Sequence, residues 1–259
     1  MPDRRLDDPG VWRMDTFRVD PGSLDGPSVV IDGTEGHHAV DVVRVRRGDV
    51  VRLIDGEGLE ALATVESTGS SEASVSIVEA RSHEGAAGVH LTIVQGLLKG
   101  RSFDEVVRRC SELGVAGIVP ARTARAVGRL KPEAEADRLA RWDAVALAAV
   151  KQSRGVFLPR IGPVCDLDRV AELSGNHDLA LVALEEEAGM GLKGALGGAS
   201  PGRVVLVVGP EGGLEASEVD LLRTGGFLPV GVGRRVLRAD WAAAAVASMI
   251  SHELGGLLP

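Results

Sequence analysis

The chain is written in two hydrophobic rhythms. From about Phe17 to Arg81, short apolar runs alternate with polar positions: VVIDG (29–33), DVVRLIDGEG (49–58), EALATV (60–65) and ASVSIVEA (73–80). Asp32-Gly33 and Asp55-Gly56 are turn signals between them, which predicts short β-strands. In DVVRLIDG the alternation puts Val51 and Leu53 on one face and Arg52 and Ile54 on the other. Strands this short at regular spacing predict a small barrel or sandwich of about 70 residues. The small-residue stretch Ser82 to Gly88 reads as a linker.

Beyond it the runs become nearly continuous. LTIVQ (91–95), GIVP (117–120), LALVAL (179–184) and RVVLVVG (203–209) have the pattern of strands buried on both faces, and PVGV (229–232) follows as a shorter one. Helical patterns lie between them. Ser102 with Glu105 has capping-box spacing, Val106, Cys110 and Leu113 form one stripe, and Gly114 ends it. RLARWDAVALAAVKQS (138–153) predicts a long helix, a short one follows Gly213, and an alanine-rich one runs from about Asp240 to Leu254. Alternating strands and helices predict an α/β fold with a mostly parallel sheet. The expected division is a polar leader over 1–16, with Met14 an alternative start, a β-domain over 17–84 and an α/β domain over 89–259.

Composition narrows the function. With 44% hydrophobic and 25% charged residues the chain is not disordered, and its 34 glycines follow no triplet period, so it is not collagen. Glycine in excess points to a backbone that turns tightly or lies close to a ligand. No apolar run approaches the roughly 18 residues needed to span a bilayer, and MPDRRLDDPG has no apolar signal core. A cytoplasmic protein with no membrane partner is expected. Cys110 and Cys165 stand apart without a C-x-x-C, and His37-His38 lacks a second ligand cluster, so no metal is expected.

The formal net charge of −8 hides its distribution. Between Arg101 and Arg160 twelve Lys and Arg stand against seven Asp and Glu, so this stretch is +5 and the remainder −13. Arg44, Arg46, Arg47 and Arg52 form a second basic run. Such patches hold a phosphate backbone even on an acidic protein, the plain alternative being a solvated face. Aromatics are only 3% with no tyrosine, which argues against a sheet that stacks bases.

Two strand-to-helix loops carry the candidate chemistry. Val208-Gly209-Pro210-Glu211-Gly212-Gly213-Leu214 places three glycines around a rigid proline, so the backbone can approach a ligand. It lacks the Gly-Lys-Ser/Thr of a phosphate loop. Gly231-Val232-Gly233-Arg234-Arg235-Val236-Leu237-Arg238 fails as a dinucleotide fingerprint, because Val236 occupies the third glycine position. Its arginines at a strand's carboxyl end suit an anionic substrate such as RNA. Lys99-Gly100-Arg101, the basic stretch Arg122 to Arg129, and Lys151-Gln152-Ser153-Arg154 are further basic loops. No Ser-His-Asp or Cys-His arrangement is visible.

Together these segments resemble one family, the 16S ribosomal RNA uridine-1498 N3-methyltransferases of the SPOUT, or trefoil-knot, superfamily. The matching stretches are HHAVDVVRVRRGD, KGRSFDEVVRRCSELGV, RWDAVALAAVKQSR, VVGPEGGLEASEVDLLRTGGF and GVGRRVLRADWAAAAV, in order from about Phe17 to Leu257. The resemblance implies a small PUA-like β-barrel followed by a C-terminal α/β domain with a deep trefoil knot, S-adenosylmethionine as cofactor, and a homodimer. It implies cofactor contacts at Leu184, Gly209, Glu211, Gly212, Gly213, Val232, Gly233 and Leu237. It further implies RNA contacts at Arg18, Arg44, Arg46, Arg47, Lys99, Arg125 and Arg154, with 16S rRNA or the small ribosomal subunit as partner. Three positions depart from the family pattern. Asp15-Thr16-Phe17-Arg18 replaces an R-R-F segment, Leu237-Arg238-Ala239-Asp240-Trp241-Ala242 replaces L-R-T-E-T-A, and Glu215 stands where Thr or Ser would cap a helix.

Methyl transfer to uracil N3 requires loss of its proton, by a base or beside a cation that stabilises the anion. Arg238 is the candidate cation and Asp240 the nearby carboxylate, which also suits the N-cap of the last helix. Three alternatives stay open: a methyltransferase for another RNA site such as a 2′-hydroxyl, a non-catalytic RNA- or ribosome-binding knot protein, and a nucleotide-dependent oxidoreductase. Binding of S-adenosylmethionine, the position of the methyl group, and NAD binding separate them. The apolar run Ala242 to Ile250 predicts a helix buried on two sides. The resemblance implies that the second side meets another copy, at Ala244 and Ala247 or whichever small residues of the helix prove exposed in a protomer.

Overall fold

The computed structural model describes residues 5–7, 14–83, 88–126, 130, 132–185, 189–198 and 200–255. Most of the expected leader, the centre of the Ser82–Gly88 linker and Arg129 lie outside them. The chain divides into two compact units, one of Met1–Gly85 with Lys151–Leu158, the other of Ala86–Val150 with Pro159–Pro259.

The first unit is built on β1 (Thr16–Arg18), β2 (Ser28–Ile31), β3 (Val50–Ile54), β4 (Leu59–Thr68) and β5 (Ala73–Ser82), in the order β1-β3-β4-β5-β2. All pairs are antiparallel except β1 with β3. Register shifts at Leu62/Ala63 and Val65/Ser67 curl the sheet. The predicted alternation in β3 holds: Val51 and Leu53 join Phe17, Ile31, Ala61 and Val65 in the main core. The turn expected at Asp32-Gly33 is instead the start of α1 (Gly33–His37), which runs into a π-helical segment, His38–Val43. Arg44 ends that segment in the left-handed conformation, φ 62°.

Arg52 does not belong to a surface basic run. It is 6% exposed, and its Nε donates to Glu60 at 2.8 Å, while its Nη2 reaches the carbonyls of Arg154 and Gly155 at 3.3 and 3.4 Å. His83 bonds the other Glu60 oxygen at 2.7 Å. Leu6 packs against Leu62 on a small satellite core, and the strap after Lys151 pairs Leu158 N–H with the Gly56 carbonyl at 2.9 Å. Two segments remote in sequence thus contribute to this unit. A half-buried pair joins Lys151 to both oxygens of Glu35, at 2.8 and 2.6 Å, with Lys151 Nζ also 5.6 Å from the Phe17 ring centre.

The second unit is a parallel sheet of β6 (His90–Gly96), β7 (Gly117–Arg122), β8 (Arg160–Ile161), β9 (Cys165–Asp166), β10 (Leu179–Leu184), β11 (Arg203–Val208) and β12 (Leu228–Gly231). The order is β12-β10-β11-β6-β7-β8, with β9 also on β7. Both faces are buried, as the continuous apolar runs require. Leu91, Ile93 and Leu206 face α2 (Ser102–Glu112), α3 (Glu135–Ser153) and α7 (Ala239–Glu253) through Val106, Trp142, Ala243 and Val246. Val94, Val182 and Val205 face α4 (Leu167–Ala171) and α6 (Ala216–Thr224) through Val170 and Leu222. α5 (Leu192–Leu196) packs on α7 and β12.

Two local expectations are corrected. Ser102 does not cap α2: Arg101 holds the N-cap position with no side-chain cap bond, and Glu105 pairs instead with Arg108 and Arg109. Gly114 does end the helix, at φ +73°. Ala244 and Ala247 do not face outward, being 4% and 0% exposed within one chain. α7 shows the surface Trp241 and Met249, 50% and 46% exposed, one helical stripe with Ala245 and Ser248. Cys110 is buried and its thiol is pushed up to about 12 by that burial, so it packs as an apolar residue.

Candidate active site

In a parallel sheet, ligands bind beyond the carboxyl ends of the strands, where the loops leave. Here β10, β11 and β12 end side by side: Ala183 is in register with Val208, and Leu184 with Gly231. The three loops assigned to the cofactor therefore lie along one edge of one sheet. Leu184 begins the first, Gly209–Gly213 forms the second, and Val232, Gly233 and Leu237 lie on the third.

The Gly209–Gly213 turn is tight. Gly213 N–H donates to the Pro210 carbonyl at 2.9 Å, and a Cβ on Gly209 would stand 3.2 Å from the Gly213 carbonyl carbon. Gly213 has φ +70° and Gly233 φ +125°, and a Cβ on either would meet open space. Those are the features a backbone cradle for a ligand needs, so the residues present fit S-adenosylmethionine. A Cβ on Gly212 would meet Arg125 Cβ at 3.1 Å and its carbonyl oxygen at 3.4 Å, so Gly212 also yields room to Arg125.

Basic loops grip the same turn from its other side. Strand β6 adjoins β11, and β7 adjoins β6, so their loops come next along the edge. Glu211 accepts the Lys99 backbone N–H at 3.1 Å, and the Arg125 guanidinium donates to the Gly212 carbonyl at 3.2 Å. Glu218 takes both Ala124 N–H (2.7 Å) and Glu215 N–H (2.8 Å), so Glu215 enters a capping box without Thr or Ser. Lys99 and Arg125 keep exposed side chains.

The third loop runs into α7. Arg238 occupies the N-cap position of that helix, and Asp240 lies in its first turn rather than at the cap. The two are joined by a two-pronged ion pair, Arg238 Nε and Nη2 each 3.1 Å from a different Asp240 oxygen. Hydrogen bonding to Asp240 holds the Arg238 guanidinium above its ordinary pKa. Arg238 is mostly exposed while the Asp240 side chain is largely covered, so the carboxylate sits beneath and the cation points outward. Arg109 adds a 2.6 Å bond to the Asp240 carbonyl and lies 5.2 Å from the Trp241 ring centre.

Arg18, Arg44, Arg46, Arg47 and Arg154 belong to the first unit, all exposed. Arg44, Arg46 and Arg47 follow one another through a turn held by Asp49, which accepts Arg46 N–H at 2.7 Å. Sequence reasoning missed Gln95 and Glu218. The signal for Gln95 was there, a lone amide closing an otherwise apolar strand.

This arrangement matches known proteins. An RNA methyltransferase domain model matches residues 86–251, and an RNA methyltransferase PUA domain model matches residues 31–78. The chain is 28% identical to ribosomal RNA small subunit methyltransferase E of Bacillus subtilis (strain 168), across 88% of this chain and 91% of that one. It is 31% identical to the protein of that name from Mycobacterium bovis, across 88% and 87%. A crystal structure of a ribosomal RNA small subunit methyltransferase E from Neisseria gonorrhoeae, bound to S-adenosyl methionine, is 25% identical with a TM-score of 0.80, covering 92% of this chain and 97% of that one. With its curled sheet preceding a parallel α/β sheet whose loops converge on a glycine turn, this chain belongs to the RNA methyltransferase family.

Proposed function

We propose that this protein transfers a methyl group from S-adenosylmethionine to N3 of a uridine, uridine 1498, in the 16S rRNA of the small ribosomal subunit. The observation that carries this reading is the shared Gly209–Gly213 turn, which has cofactor loops on one side and Lys99 and Arg125 on the other. When bound, S-adenosylmethionine supplies an electrophilic methyl group on a sulfonium. The backbone of Gly209–Gly213 and Val232–Leu237, with Leu184, holds it without bulky side chains. Arg238 stabilises the negative charge that develops on the uracil as the N3 proton passes to water, and Asp240 holds the guanidinium in place. Arg18, Arg44, Arg46, Arg47, Lys99, Arg125 and Arg154 contact RNA phosphates. The test is transfer of labelled methyl from S-adenosylmethionine to small-subunit rRNA. Cofactor binding without transfer would leave the knot as a binding module.

Gly213→Val should weaken S-adenosylmethionine binding about tenfold or more, because a left-handed non-glycine residue costs ~1–2 kcal/mol and the turn must reopen to avoid it. Calorimetric titration of the folded variant checks this, and undiminished affinity would remove the turn from the site.

The protein works as a homodimer in this proposal, with the outward stripe of α7 at the contact. A groove of about 550 Å³ runs between that stripe and the third loop, lined by Val232, Leu237, Trp241, Ala245 and Met249 among others. Met249→Arg should give a folded monomer by light scattering, with methyl transfer lost. A wild-type monomer with full activity at micromolar concentration would contradict the assignment.

A further inference from the structure

We propose that Gln95, with Gly96, forms the socket that sets the position of the cofactor turn, which makes Gln95 a positioning residue for S-adenosylmethionine. The inference rests on the cofactor reading above. Gln95 is fully buried at the carboxyl end of β6, in register with Val208 of β11. Its Nε2 donates to the carbonyls of Gly209 at 2.9 Å, Gly96 at 3.1 Å and Val208 at 3.4 Å. Three carbonyls converge on that atom, so it must be the nitrogen: an oxygen there would be repelled by all three.

Gly96 completes the socket by having no side chain. A Cβ on it would stand 2.8 Å from both Cδ and N of Pro210, and 3.2 Å from the Gly209 carbonyl carbon. The end of β6 and the start of the turn are therefore in direct backbone contact, and the Gln95 amide is the buried bond that orients them. The outer holds on the turn, from Lys99 N–H and the Arg125 guanidinium, involve exposed groups that water can replace. Gln95 is not what core stability alone would select. Its Oε1 is buried with no partner among the described residues, a destabilising arrangement after the run of Leu, Thr, Ile and Val that precedes it in the strand. An apolar residue would continue the strand but leave the turn's first carbonyl unheld.

The test uses the full-length protein with Gln95→Met, which keeps the volume and removes the amide. The expected result is an S-adenosylmethionine Kd, and KM for the cofactor, raised about tenfold or more by displacement of the turn. KM for rRNA and the unfolding temperature of the cofactor-free protein should stay close to wild type. Gly96→Ala, which presses a methyl group on Pro210, should raise the cofactor KM in the same selective way, and it serves if Gln95→Met does not fold. Wild-type cofactor affinity in either folded variant, or equal losses for cofactor and rRNA, overturns the proposal while leaving the cofactor reading intact. A wild-type protein that binds no S-adenosylmethionine overturns both.

Discussion

Arg238→Ala should lower kcat by about two to three orders of magnitude while leaving the affinity for S-adenosylmethionine unchanged. The magnitude follows from the proposed role of Arg238 as a charged donor to the developing negative charge, since removing such a donor costs about 10²–10³ in other active sites. Cofactor affinity survives because the backbone of the three loops, not the guanidinium, is the proposed cradle. Arg238→Lys should recover only part of the loss, since an ammonium cannot reproduce the two-pronged grip on Asp240. Asp240→Asn separates the two roles the sequence left open for that carboxylate. If Asp240 only holds Arg238, kcat falls by a smaller factor and the pH profile keeps its shape. If it accepts the N3 proton, kcat falls at least as far as in Arg238→Ala. Steady-state kinetics with each variant, beside calorimetric cofactor binding, read all of these outcomes.

Glu60→Gln should destabilise the first unit by ~3–5 kcal/mol, because it leaves the buried Arg52 charge without its carboxylate partner. The double variant Arg52→Met with Glu60→Leu should recover most of that loss, since two apolar side chains need no pairing. Urea unfolding followed by circular dichroism measures both, and a loss under ~1 kcal/mol for Glu60→Gln would mean that water reaches the pair. The pair also makes stability depend on pH. Burial pushes the Glu60 carboxyl up, but hydrogen bonds from His83 and Arg52 outweigh it and hold the group below its ordinary value. A carboxyl more acidic in the folded than in the unfolded state contributes stability at neutral pH. That contribution declines as the pH falls from the ordinary carboxylate range through the lower folded value.

What could be read from the chain divides along physical lines. Period-2 and continuous apolar runs gave the strands other than β1, β8 and β9, because burial of one face or two is written into neighbouring residues, whereas those three are too short to show a period. The glycine turn and the Arg238 loop were legible because glycine and arginine at strand ends have few other uses. Arg52 was read as surface because the strap that covers it lies about a hundred positions later, where no local pattern reveals it. Ala244 and Ala247 failed as an outer face for a related reason: an alanine-rich helix has little periodicity, so its inward side cannot be told from its outward side. At Gly212 the packing need was hidden, since only the folded chain brings Arg125 against it. Gln95 and Glu218 bond to partners from other loops, which the sequence pattern alone does not bring together.

The most direct test of the account is mass-spectrometric mapping of small-subunit rRNA from cells with and without this gene. The account predicts one methylated uridine, modified on N3, present with the gene, absent without it, and restored by the wild-type protein but not by Arg238→Ala. A methyl group that maps to a ribose 2′-hydroxyl, or rRNA identical in the two cell lines, would contradict it.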